Sequence, residues 1–159
     1  MEINFGQISN VLLFGGTKTL VQTVDYLLSK NVLTNVISSP RHLATSCRFG
    51  NQANLETLEE VLTKLGVSWQ LANDIDNDKD IANLINPDTF GISISSPWIF
   101  SSSFIKQLNG RFVNVHPAKL PVDRGGGGFS WRVMMENRSS AAVVHLMEPE
   151  IDSGDILDM

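Results

Sequence analysis

Residues 111–116 read Arg111-Phe112-Val113-Asn114-Val115-His116, and Pro117 follows directly. Phe112, Val113 and Val115 favour extended backbone. Proline cannot donate to a sheet ladder, so the run predicts a strand that stops at Pro117. Side chains two apart on a strand share a face. Asn114 and His116 therefore project together from the strand's end, beside a loop that runs through Gly128 to a helix over about Phe129 to Glu136.

Working outward, the chain alternates strands and helices. Val11-Leu12-Leu13-Phe14 is a short apolar run closed by Gly15-Gly16, and Leu20, Val24, Leu27 and Leu28 recur behind it at helical spacing. A second strand is predicted around Val32 to Ile37, ended by Ser38-Ser39-Pro40. Asn54 is the expected N-cap of a helix carrying Leu55, Leu58, Leu62 and Leu65, with Glu56 in its first turn and Gly66 after its end. Val67 to Leu71 reads as a third strand and Ile81, Leu84 and Ile85 as a short helix. Phe90 to Ile94 is the next strand, Phe104 to Leu108 the end of a helix, and Ala141 to Met147 the final strand.

This alternation predicts an α/β fold with a mostly parallel sheet and helices on both faces. Ligands of such sheets sit beyond the carboxyl ends of the strands. That rule places Gly15-Gly16, Ser96-Pro97-Trp98, Asn114-Val115-His116 and the segment Glu148 to Asp155 on one rim.

Composition narrows the class. At 159 residues the chain fits one domain with a true core. Twelve basic and seventeen acidic residues give a net charge of -5, which argues against a nucleic-acid partner because phosphate binding needs clustered Lys and Arg. The single cysteine, Cys47, excludes an internal disulfide framework. Neither a signal peptide nor a membrane-spanning apolar run is read from the sequence, so the expected location is cytoplasmic.

An amide beside an imidazole suits a developing oxyanion, since both donate hydrogen bonds and the ring can carry a proton. The same pair also fits a loop-bonded amide and a packed histidine. Asp152, in the turn-forming Ile151-Asp152-Ser153-Gly154-Asp155, is a carboxylate that would favour a charged imidazole if brought near; Asp155 is its rival, and an ordinary Asx turn is the alternative. Arg124 and the glycines 125–128 precede a helix and offer close backbone approach to an anion, or simply a flexible loop. Gly15-Gly16-Thr17-Lys18 matches neither the P-loop nor the dinucleotide fingerprint, which disfavours an NAD(P) oxidoreductase. Asp74, Asp76, Asp78 and Asp80 alternate as in a calcium loop but lack its glycine and closing glutamate, so a solvated loop and no metal are expected. His42 reads as lone and exposed, and His145 as a structural histidine inside the last strand.

The stretch Val113-Asn114-Val115-His116-Pro117-Ala118-Lys119-Leu120-Pro121-Val122-Asp123-Arg124-Gly125 resembles the signature of the folate-dependent formyltransferases. The resemblance continues through Trp131, His145 and Ile151-Asp152-Ser153-Gly154-Asp155-Ile156-Leu157. It implies a Rossmann-like formyltransferase fold and 10-formyltetrahydrofolate as the donor co-substrate. It further implies that Asn114, His116 and Asp152 are the catalytic residues, Asn114 and His116 steadying the oxyanion and Asp152 tuning His116. Folate contacts are expected from Trp98, Ile99 and Phe100 and from Leu146, Pro149, Glu150 and Ile151. Substrate contacts are expected from Gly15, Gly16, Arg124 and Gly125.

Ala118-Lys119 stands where the family usually has Ser-Leu, and Gly126-Gly127-Gly128 replaces the usual Ala-Pro after Arg-Gly. Together with Ser95-Ser96-Pro97-Trp98-Ile99-Phe100 this looks most like the branch that formylates amino sugars carried on nucleotides. The expected acceptor is therefore the amine of a nucleotide sugar. Methionyl-tRNA, glycinamide ribonucleotide and a non-catalytic folate- or nucleotide-binding module are the alternatives. Family catalytic domains run on beyond the Asp-Ser-Gly-Asp-Ile segment, so residues 1–159 read as a single catalytic domain cut short at its C-terminus. A homodimer is left open.

Overall fold

A computed structural model describes residues 3–44 and 56–159. The expectations for Cys47 and for Asn54 as an N-cap lie outside those residues. Among the described residues, seven strands form one sheet: β1 (Asn10–Gly15), β2 (Thr34–Ser38), β3 (Ser68–Leu71), β4 (Thr89–Ile94), β5 (Phe112–His116), β6 (Val143–Leu146) and β7 (Ile156–Asp158). Their spatial order is β3-β2-β1-β4-β5-β6-β7. The first five are parallel, and β6 and β7 run antiparallel at one edge. The sheet is thus mostly parallel, as expected. Its seventh strand was not anticipated, because Ile156-Leu157-Asp158 is too short to show a period.

Strand alternation divides the core in two. Val11 and Leu13 face one cluster with Leu20 and Val24 of α1 (Lys18–Ser29) and Leu58 and Leu62 of α3 (Leu58–Leu65); α2 (Pro40–Ala44) is a short turn of helix between them. Leu12 and Phe14 face the other, with Ile81 of α4 (Lys79–Leu84) and Phe104 and Ile105 of α5 (Ser102–Gln107). Helices therefore cover both faces. Phe14, Phe100, Phe104 and Phe112 meet there at ring separations of 4.8–6.2 Å, mostly edge to face. A last helix, α6 (Gly128–Met134), follows β5 and buries none of its residues.

Local chemistry sets the helix ends. Thr57 and Glu60 form a reciprocal capping box, and Gly66 ends α3 at φ 67°. The alternating aspartates are consumed in the same way: Asp78 caps α4, Asp76 accepts from the backbone and hydroxyl of Ser101, and Asp74 accepts from Asn77. Among the described residues, no helix is long and apolar enough to cross a membrane.

One consequence of this order positions the site. The chain winds outward from β1 to β3, then returns to start β4 on the other side of β1. Crossovers diverge there, opening a crevice at the strands' carboxyl ends. In the same row of the sheet, register aligns Phe14 with Ser93, Ser93 with Asn114 and Asn114 with His145.

Candidate active site

Asn114 lies within β5 and His116 ends it, both on the face that carries Phe112. Antiparallel pairing sets His145 of β6 directly opposite Asn114. Asp152 arrives from the turn between β6 and β7 with φ 47°, a left-handed conformation that a short polar side chain tolerates. That turn is pinned. The Leu146 N–H donates to the Asp155 carbonyl at 2.9 Å, and Ser153 Oγ donates to the Glu150 carbonyl at 2.9 Å. At Gly154 an added Cβ would fall on the Leu146 carbonyl oxygen, so only glycine lets the turn lie this close to β6.

The Asp152 carboxylate is the hub. Its Oδ2 accepts from the Gly125 N–H at 2.8 Å and lies 3.4 Å from His116 Nδ1. Its Oδ1 accepts from Asn114 Nδ2 at 3.1 Å and lies 3.3 Å from His145 Nε2. The carboxylate is 11% exposed and the His116 side chain 9%. His116 Nε2 is 2.7 Å from the Asp123 carbonyl, so that nitrogen carries a hydrogen. Asp155, the rival carboxylate, is exposed and takes no part through its side chain.

Of these groups, Asn114, His116, Gly125 and Asp152 line a cavity of about 510 Å³, within the range that holds small ligands, and His145 lies behind it. Its walls include Trp98, Ile99, Phe100, Phe129 and Met147, and glycines 125–128 border it. Among the expected folate contacts, Trp98, Ile99, Phe100, Pro149 and Ile151 line the cavity. Leu146 and Glu150 do not. Alternation along β6 turns Leu146 to the face opposite His145, and Glu150 is exposed on the turn; Met147 and Glu148 border the cavity in their place. Among the expected substrate contacts, Gly125 lines the cavity, whereas Arg124 is exposed beside it. Gly15 and Gly16 lie outside the lining, Gly15 against the Ile94 backbone and Gly16 against the His42 ring.

One histidine departs from its sequence reading. His42 is buried rather than exposed. Its Nδ1 lies 3.4 Å from Ser38 Oγ and 3.3 Å from Ser39 Oγ, and its Nε2 lies 3.2 Å from the Ser95 carbonyl. Burial lowers its pKa; the Ser95 carbonyl works against that, and the Arg41 charge adds to it. His145 sits inside its strand as read, 1% exposed with Nδ1 on the Leu146 carbonyl, and in addition belongs to the Asp152 cluster. No motif inside Val143-Val144-His145-Leu146 marks that role, because it depends on which strand β6 pairs with.

Chemically, the arrangement offers an amide and an imidazole near one point on the cavity wall, with a carboxylate behind both. Such a set can stabilise negative charge on a carbonyl oxygen and pass a proton.

No protein-family model matches the chain. Over 96 residues it is 23% identical to a methionyl-tRNA formyltransferase of Finegoldia magna, a match covering 59% of this chain and 31% of that protein. The chain thus aligns with less than a third of that relative. Among solved structures, phosphoribosylglycinamide formyltransferase from Anaplasma phagocytophilum superposes with a TM-score of 0.70 at 16% identity, over 95% of this chain and 70% of the other. The formyltransferase PseJ from Anoxybacillus kamchatkensis, in complex with UDP-4,6-dideoxy-4-formamido-L-AltNAc and tetrahydrofolate, gives 0.52 at 18% identity, over 94% of this chain and 58% of the other.

Proposed function

We propose that this chain, which has the formyltransferase fold, is the formyl-transfer domain of an N-formyltransferase that moves a formyl group from 10-formyltetrahydrofolate to the amine of a nucleotide-linked amino sugar. The observation that carries the transfer chemistry is the meeting of Asn114, His116 and Asp152 at the cavity wall, within 3.1–3.4 Å of one another through the carboxylate. The aromatic wall of Trp98 and Phe100 suits a flat heterocycle such as a pterin.

In this reading the amine attacks the formyl carbon and negative charge grows on its oxygen. Asn114 donates an amide hydrogen to that oxygen, a contact typically worth roughly 3 kcal/mol of barrier. His116 stands beside it and carries the proton that the amine must lose and the folate nitrogen must gain, through Nε2 once the bound substrates draw that nitrogen from the Asp123 carbonyl it meets here. Asp152 holds the ring's orientation through Nδ1. No metal is required by this scheme.

The bare backbone of glycines 125–128 supports a bulky acceptor, since no side chain there narrows the cavity. A second reading, glycinamide ribonucleotide as acceptor, is favoured by the higher TM-score of the phosphoribosylglycinamide enzyme. One experiment separates them: incubation with 10-formyltetrahydrofolate and a panel of UDP- and dTDP-amino sugars, glycinamide ribonucleotide and methionyl-tRNA. Formylated sugar is expected. Folate binding with no formylated product on any acceptor would leave only a binding module.

A further inference from the structure

An amide side chain placed next to two acceptors is oriented by both, and the geometry here fixes which of its hydrogens they take. Asn114 Nδ2 is 3.1 Å from His145 Nε2 and 3.1 Å from Asp152 Oδ1, and those two atoms are 3.3 Å apart. The triangle is nearly equilateral, so the acceptors subtend only about 60° at the amide nitrogen. The two N–H bonds of a planar amide diverge by about 120°. Both acceptors therefore share one hydrogen. The second N–H has no protein acceptor among the described residues, on a side chain that lines the cavity.

His145 can accept only in one tautomer, and the backbone selects it. Its Nδ1 lies 2.8 Å from the Leu146 carbonyl, which is an acceptor, so Nδ1 must carry the hydrogen. In the neutral ring Nε2 is then a lone pair facing Asn114, whereas a ring carrying both hydrogens would give Nε2–H to Asp152 Oδ1, 3.3 Å away, and could not accept from the amide. A hydrogen on Nε2 would oppose the amide N–H and remove one of its two acceptors, and with it the fixed donor direction. The ring is held in place by burial, at 1% exposure.

We infer that His145 is a positioning residue: with Asp152 it captures one amide hydrogen of Asn114 and so aims the other at the oxygen of the transferring formyl group. The inference rests on the formyl-transfer reading for its catalytic consequence, but its geometric content stands apart from it.

The test joins kinetics to NMR. In the wild-type protein, long-range ¹H–¹⁵N spectra should show His145 as the Nδ1–H tautomer, and one Asn114 side-chain hydrogen should exchange more slowly than the other. In His145→Phe that slow exchange should speed up by about fivefold or more. Turnover should fall about ten- to a hundredfold with the KM for 10-formyltetrahydrofolate within about twofold. His145→Gln, whose amide oxygen can accept from Asn114, should recover most of the loss. A hydrogen on Nε2 in the wild type, whether in the other tautomer or in a ring carrying both hydrogens, overturns the proposal, as does a folded His145→Phe with unchanged turnover. Should the wild type formylate no acceptor, the functional reading fails instead, and the tautomer and exchange data alone decide the role of His145. Should His145→Phe not fold, the wild-type spectra and His145→Gln carry the same decision.

Discussion

Asp152 Oδ2 lies 3.4 Å from His116 Nδ1, while the opposite ring nitrogen of His116 donates to the Asp123 carbonyl at 2.7 Å. The imidazole is thus held from both sides. Replacing Asp152 by Asn keeps the volume and removes the charge behind the ring. We expect Asp152→Asn to lower kcat by on the order of a hundredfold or more, with folate affinity changed little, because the carboxylate faces the histidine rather than the aromatic wall. Steady-state rates alongside folate titration check this. A rate within twofold of wild type would remove Asp152 from the mechanism.

Gly154 lets the Asp152 turn rest on β6, with the Leu146 carbonyl where a Cβ would go. Gly154→Ala must push the turn outward. The expected cost is about 1–3 kcal/mol, typical of overpacking, together with a loss of turnover because Asp152 moves with the turn. Urea denaturation and rate measurements on one preparation test the pair of effects. An unaltered midpoint would show that the turn is not packed as described.

Gly126 borders the cavity, has no positive φ, and an added Cβ would meet nothing within 4 Å. A side chain there should be tolerated by the fold yet occupy acceptor space. Gly126→Leu is expected to raise the KM for a nucleotide-sugar acceptor about tenfold or more, leaving folate binding and the unfolding midpoint near wild type. Equal KM values would place the acceptor elsewhere.

His42 links stability to pH. Its folded pKa is lowered from 6.5, chiefly by burial, so the unfolded chain takes up the proton first. Its contribution is intact above 6.5, declines as pH falls below that value, and stops changing once pH is under the folded pKa. His42→Gln keeps an N–H for the Ser95 carbonyl and does not titrate. Denaturation midpoints of the two proteins, compared from about pH 7.5 down to 5, should draw together on the acid side. A constant difference would show that His42 is not the group concerned.

Much of this fold was legible in the sequence for local reasons. The apolar run Val11–Phe14, closed by Gly15, and the strand-favouring Phe112–His116, stopped by Pro117, mark strands by local composition. Leu20 and Val24 announce α1 by spacing. Thr57 is the N-cap of α3, and Thr57 with Glu60 carries the sequence pattern of a capping box. The exposure expected of His42 does not hold, because its sequence neighbours carry no sign of the Gly16 backbone and Ser95 carbonyl that close over it.

By itself, then, the sequence determined the alternating elements, the rim on which ligands gather, and the shared face of Asn114 and His116, since each follows from periods of 2.0 or 3.6 residues and from turn chemistry. Only the tertiary structure decided that Asp152 rather than Asp155 reaches the imidazole, and that His145 faces Asn114. Those outcomes depend on which edge β6 pairs with, in which direction and register. Pairing is a choice among long-range contacts that no local period encodes.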